Sequence, residues 1–147
     1  MDTPEPVVIL LVEDNPADAE LLSEGIAEAG LDVALSTAGT GQEALDFLRL
    51  RSPAPERLPG LILLDLNLPG LDGLGVLREI KNAGDLKRTP VLMLSSSSSE
   101  RDVLACYELG ASAYLVKPSN LKELRELMAA LRDFWLTACT LPPVRLH

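Results

Sequence analysis

The chain has 147 residues, 47% of them hydrophobic and only 3% aromatic, which suits one domain with a core of Leu, Val, Ile and Ala. Its formal charge of −9, from 22 acids against 13 bases, argues against nucleic acid as a partner, because phosphates call for basic side chains. The one histidine, His147, ends the chain, a poor place for a catalytic base, so Ser-His-Asp, Cys-His and His-metal chemistry are disfavoured.

Residues 1–6, MDTPEP, form an acidic, Pro-rich extension without the basic segment of a signal peptide. Val7–Val12 is apolar without alternation, the pattern of a strand covered on both faces of a parallel sheet. It stops at Glu13-Asp14, and Asn15-Pro16 supplies a cap followed by proline in the first turn of a helix carrying Leu22, Ile26 and Ala29. Asp32–Thr37 reads as a second strand and Gln42–Arg49 as a short helix. After a Pro-rich connection, Ser52–Gly60, a third strand over Leu61–Leu64 ends at Asp65. A helix with Leu74, Leu77 and Ile80 runs to about Ala83. Pro90–Leu94 is a fourth strand, its proline at the first position, and it leads into the serine run Ser95–Ser99. A helix over Glu100–Leu109 and a fifth strand over Ala113–Val116 follow, the strand ending at Lys117-Pro118. The last helix spans about Leu121 to Trp135, with Leu121, Leu124, Leu127, Met128, Leu131 and Phe134 on one stripe.

Strand and helix alternate five times, so right-handed crossovers give an α/β fold with a parallel sheet and helices on both faces. Ligands of such sheets sit beyond the carboxyl ends of the strands. Glu13, Asp14, Asp65, Ser95 and Lys117 all fall at those ends. Carboxylates gathered there raise one another's pKa values until a divalent cation enters. Mg²⁺ needs only one or two carboxylates beside a phosphate. Asp14 and Asp65 are suited to direct ligation and the longer Glu13 to holding a bound water. A carboxylate is also a competent phosphoryl acceptor, with Mg²⁺ on one side, the Lys117 ammonium on the other and the Ser95 hydroxyl as donor. Gly39-Thr40-Gly41-Gln42-Glu43-Ala44 fits the GxGxxA dinucleotide pattern, but it follows the second strand and leads into a short helix.

The segments VEDNPAD, LLDLNLPGLDG, the serine at the fourth strand end and YLVKP resemble the receiver domain of two-component response regulators, over about Val7 to Trp135. The resemblance implies a flavodoxin-like doubly wound sheet of order 2-1-3-4-5. It implies Asp65 as phosphoacceptor; Asp14, Asp65, Glu13 and the Asn67 carbonyl around Mg²⁺; Ser95 and Tyr114 as switch residues; Lys117 as phosphate partner; and a cis bond before Pro118. The family often has Asp where Glu13 stands and Thr where Ser95 stands, and both exchanges keep the needed atoms. The Ser52–Gly60 connection and the ending from Phe134 to Pro142 resemble single-domain regulators that partner phytochrome-type histidine kinases.

The expected organisation is one receiver domain over residues 7–137 and a tail over 138–147. Phe134, Trp135, Leu136, Leu141 and Val144 are apolar enough to dock on a second subunit as a dimer arm, with folding back onto the parent domain as the alternative. Too few residues follow Trp135 for an output domain, so output is expected through a protein contact or a further phosphotransfer. Cys106 and Cys139 form no CxxC, pointing to a reducing cytoplasm, and no apolar stretch approaches the ~20 residues of a membrane span. The rival readings are a phosphatase or a nucleotide- or flavin-binding enzyme on the same architecture, and an adaptor independent of phosphorylation. A phosphatase would call for DxD at Asp65, where Asn67 stands instead.

Overall fold

The computed structural model describes residues 6–143. Five strands, β1 (Val7–Val12), β2 (Val33–Ala38), β3 (Leu61–Asp65), β4 (Val91–Ser95) and β5 (Ala113–Val116), form one parallel sheet in the order β2-β1-β3-β4-β5. Helices α1 (Pro16–Glu28), α2 (Gly41–Arg51), α3 (Gly73–Lys81) and α4 (Glu100–Glu108) fill the four crossovers, and α5 (Leu121–Ala130) follows β5. The expected flavodoxin-like order is therefore the observed one.

The strand sequences are uniformly apolar because each strand supplies two cores. Leu10, Val12, Ile62, Leu64, Val91 and Met93 face Ala44, Leu45 and Leu48 of α2, Val76, Leu77 and Ile80 of α3 and Cys106 of α4. The alternate residues Ile9, Leu11, Leu61, Leu63, Leu92 and Leu94 face Leu22 and Ile26 of α1 and Leu124, Met128 and Leu131 at the other end of the chain.

Caps set where the helices begin. Asn15 Oδ1 accepts from the Ala17 and Asp18 amides at 2.9 and 3.2 Å, with Pro16 in the first turn. Asp72, Ser99 and Asn120 cap α3, α4 and α5 in the same way. Thr40 caps α2, and Glu43 reaches back to the Gly39 amide at 2.8 Å. The GxGxxA stretch thus commits its Gly39 and Glu43 amides to a helix cap. Gly41 is there for packing, since a Cβ would run into the Leu71 carbonyl oxygen.

Two expectations need correction. The last helix does not stop near Trp135: after α5 the chain continues as π-helical turns over Leu131–Ala138. The wider winding keeps Trp135 and Leu136 against the α1–α5 core, and Thr137 Oγ1 donates to the Arg132 carbonyl at 2.6 Å. The bond before Pro118 is not cis; no cis peptide occurs among the described residues. A tertiary amide weakens the trans preference to about 0.5–1 kcal/mol without reversing it. With the trans bond, Lys117 already reaches its carboxylate partners, so nothing local demands the other isomer.

Gly73 fixes the start of α3 against the end of β3. A Cβ on it would run into the Asp65 carbonyl oxygen and lie 2.7 Å from Leu66 Cα. Gly25 is also close-packed, but its neighbours are side-chain rather than backbone atoms, a Leu124 methyl and Met128 Cγ, both at 3.2 Å. Gly73→Ala is expected to lower unfolding free energy by roughly 1–3 kcal/mol through overpacking against backbone. Gly25→Ala should stay near neutral, because better helix propensity offsets slight crowding. Urea melts of both variants measure the contrast.

Candidate functional site

Glu13, Asp14, Asp65, Ser95 and Lys117 meet at the carboxyl rim of the sheet, around the point where the strand order reverses between β1 and β3. Ladder hydrogen bonds continue one residue past the strand ends and hold this rim. The Glu13 amide donates to the Ala38 carbonyl at 3.0 Å, Leu66 to Leu94 at 2.9 Å and Lys117 to Ser95 at 2.8 Å.

Glu13 and Asp65 are buried and Asp14 is exposed. Ligand oxygens of all three lie within 4.8 Å of one another. Lys117 Nζ stands 2.8 Å from Glu13 Oε2, 3.2 Å from Asp65 Oδ2 and 3.4 Å from Asp18 Oδ2. Burial raises the Glu13 carboxyl above its ordinary value, and the Asp65 charge adds to this, while Lys117 and the Asn15 amide work the other way. Burial alone would pull the Lys117 ammonium down, but Glu13 and Asp65 together outweigh it and hold it above its ordinary value.

Glu13 Oε1 accepts from the Asn15 amide at 3.2 Å. Its Oε2 has the ammonium close by, but off the angle of a hydrogen bond, and no hydrogen-bond partner among the described residues. A buried, under-served carboxylate oxygen beside two more carboxylates is a donor set of hard oxygens, and it fits a divalent cation. The Asn67 amide donates to Asp65 Oδ1 at 3.1 Å, and Asn67 lines an open cleft of about 540 Å³ with Asp14, Asp72 and Asp102.

The switch candidates are joined through a residue that the sequence left inside its serine run. Ser95 is fully buried, and its Oγ accepts from the Ser97 amide at 3.0 Å. The Ser97 carbonyl accepts from the Tyr114 hydroxyl at 2.8 Å, and Ser97 Oγ donates to Asp102 of α4 at 2.7 Å. Ser97 thus links Ser95, Tyr114 and the first turn of α4. Neither Ser97 nor Asp18 stood out in the sequence, because each acquires its distant partner only when the sheet assembles.

The proposed arm residues lie elsewhere. Trp135 and Leu136 pack on the parent core. Leu141 lies beside Gly60, and Pro142 and Pro143 line a recess with Leu58, Pro59 and Pro90. Phe134 is 55% exposed and meets Trp135 edge-on at 5.3 Å. Val144 is outside the described residues.

A family model for the response regulator receiver domain matches residues 9–129. The chain belongs to that family. Response regulator Rcp1 of Synechocystis sp. is 46% identical over 138 residues, covering 93% of this chain and 94% of Rcp1. The crystal structure of the Mn²⁺-bound form of Rcp1 matches with a TM-score of 0.83 at 45% identity, covering 94% of this chain and 100% of that one. The phosphorylated cyanobacterial phytochrome response regulator RcpA gives a TM-score of 0.85 at 41% identity, covering 94% and 99%. The chain is accordingly a response regulator of phosphorelay signalling, with an acidic cluster suited to a divalent metal.

Lys117→Met is expected to destabilise the metal-free receiver domain by about 3 kcal/mol at neutral pH, the order found when one partner of a buried ion pair is removed. Without the ammonium, the buried Glu13 carboxyl, already raised by burial, binds a proton more readily in the folded than in the unfolded chain. Stability of the variant should then rise as pH falls through that window. Denaturant melts at pH 5 and pH 8 check both sign and size.

Proposed function

We propose that Asp65 is the residue phosphorylated, that Mg²⁺ is the working metal, and that the phosphodonor is a phytochrome-type sensor histidine kinase. The observation that carries this reading is the buried Asp65 carboxylate, held 3.2 Å from the Lys117 ammonium inside the acidic cluster. The likeness to RcpA supports the phytochrome partner.

Asp14 and Asp65 would ligate the metal, with Glu13 behind them and the Asn67 carbonyl completing the shell. When bound, the cation neutralises carboxylate charge and that of the incoming phosphoryl oxygens. Asp65 attacks phosphorus in line. The bond to the phosphohistidine nitrogen breaks, and its electron pair leaves on the imidazole. Lys117, already beside the acceptor, pairs with the equatorial oxygens. Ser95 Oγ already accepts from the Ser97 amide, which leaves its proton to donate. The chain is an acceptor with at most slow self-dephosphorylation, working in a reducing cytoplasm where Cys106 and Cys139 are free thiols.

Output would pass through Ser97 and Tyr114 to the face of α4, β5 and α5, where Leu104, Tyr107, Val116 and Leu121 are exposed. That face would meet a downstream phosphotransfer or effector protein.

Asp65→Asn should abolish phosphoryl labelling by a cognate kinase, read by intact mass; full labelling of the variant would reassign the acceptor. Mg²⁺ should raise the melting temperature of the wild type, and Asp14→Asn should remove that rise.

The apolar end of the chain supports a homodimer, centred on exposed Phe134 rather than on the whole arm. Phe134→Ala and deletion after Thr137 should each shift the solution mass from dimer toward monomer. A wild type that is monomeric at high concentration would remove the dimer from the proposal.

A further inference from the structure

We infer that Asp18 competes for the Lys117 ammonium and so limits how readily Asp65 takes a phosphoryl group from a small anionic donor. The inference rests on Asp65 as the acceptor and Lys117 as its phosphoryl partner. Lys117 serves three carboxylates, at 2.8 Å from Glu13, 3.2 Å from Asp65 and 3.4 Å from Asp18. Two of them are fixed requirements of the site, and their side chains are 1% and 3% exposed. Asp18 differs. Its side chain is 44% exposed, and it lies outside the cluster of Glu13, Asp14 and Asp65 whose oxygens converge for a metal.

Asp18 is held in place by its own helix. Its amide is capped by Asn15, which sets the first turn of α1 beside the end of β5. There Asp18 shares a shallow recess with Leu21, Leu22, Lys117 and Pro118. Its charge neither serves the acceptor nor converges with the metal-binding oxygens. It draws the ammonium toward α1, and it repels a dianion approaching Asp65. Asp18 is therefore a positioning residue that acts through Lys117 and slows labelling by a small dianionic donor.

Acetyl phosphate is the probe. An Asp65 oxygen forms the new bond to phosphorus, and the bond between phosphorus and the acetate oxygen breaks with its electron pair leaving on acetate. The products are the aspartyl phosphate and free acetate, with no proton required. Initial labelling rates of the full chain at saturating Mg²⁺, read by intact mass against acetyl phosphate concentration, separate half-saturation from maximal rate. Asp18→Asn should lower the half-saturating concentration roughly two- to fivefold, the size expected for a part-exposed charge. The effect should shrink in high salt. Asp18→Glu should behave as wild type. Glu24→Gln, which removes the same charge further along α1, should change nothing. Mg²⁺ affinity by isothermal titration should be the same in all four proteins. Equal half-saturation in Asp18→Asn and wild type overturns the inference, as does an equal effect from Glu24→Gln. Weakened Mg²⁺ binding in Asp18→Asn would make Asp18 a metal residue and overturn it as well. A wild type that is never labelled at Asp65 would instead bring down the acceptor assignment on which the inference stands.

Discussion

An ammonium held among carboxylates is the interaction on which the rim depends. Glu13 and Asp65 are buried side by side, and Asp14 stands beside them. Such a group cannot be left uncompensated in a low-dielectric rim. Lys117 answers it from β5, two strand positions away from β3 in the sheet order. At about 4.8 Å between strands the gap to span is about 10 Å, which calls for a long side chain. It also calls for a small residue at the end of the intervening strand. Ser95 supplies that at the end of β4, where its carbonyl accepts the Lys117 amide. Strand order, a lysine at one end and a serine at another are thus one requirement seen from three places. The same requirement makes the site receptive: a dication or a phosphoryl group arrives at charges that are already arranged but only partly matched.

Much of this was legible in the sequence, because burial on both faces leaves a plain mark. Val7–Val12 and Leu61–Leu64 are apolar at every position, since their alternate residues enter different cores. The caps were equally plain at Asn15-Pro16, where side chain and backbone act within one turn. Acids and a lysine at strand ends could be placed together once the strands were aligned.

What stayed hidden depends on contacts between distant segments. Asp18 looks like any acid in a helix's first turn until β5 brings Lys117 to it across 99 positions. Ser97 is one of five like residues, and only the folded rim joins it to Ser95, Asp102 and Tyr114. The GxGxxA stretch misleads for the opposite reason, because a local pattern is satisfied locally, by Glu43 and Thr40. The tail's composition announces burial but not its direction. Leu141 comes to lie beside Gly60, next to the start of β1, a placement that composition alone does not give.

The links at Ser97 bear on how easily the proposed switch turns. Ser97 holds Ser95, Tyr114 and Asp102 through three hydrogen bonds of 3.0, 2.8 and 2.7 Å. All are partly buried, so each contributes a net stabilisation of about 0.5–1.5 kcal/mol. Together they give on the order of 3 kcal/mol to this arrangement. A phosphoryl group that engages the Ser95 hydroxyl takes up its proton while Oγ goes on accepting from the Ser97 amide, so in the proposed switch a shift of Ser95 would carry Ser97 with it. The other two bonds would follow because they belong to the same residue. Had the three partners been held by separate residues, a change at Ser95 would have had no short path to Tyr114 or α4. Concentrating them on Ser97 would let the connection respond as one element in the proposed switch.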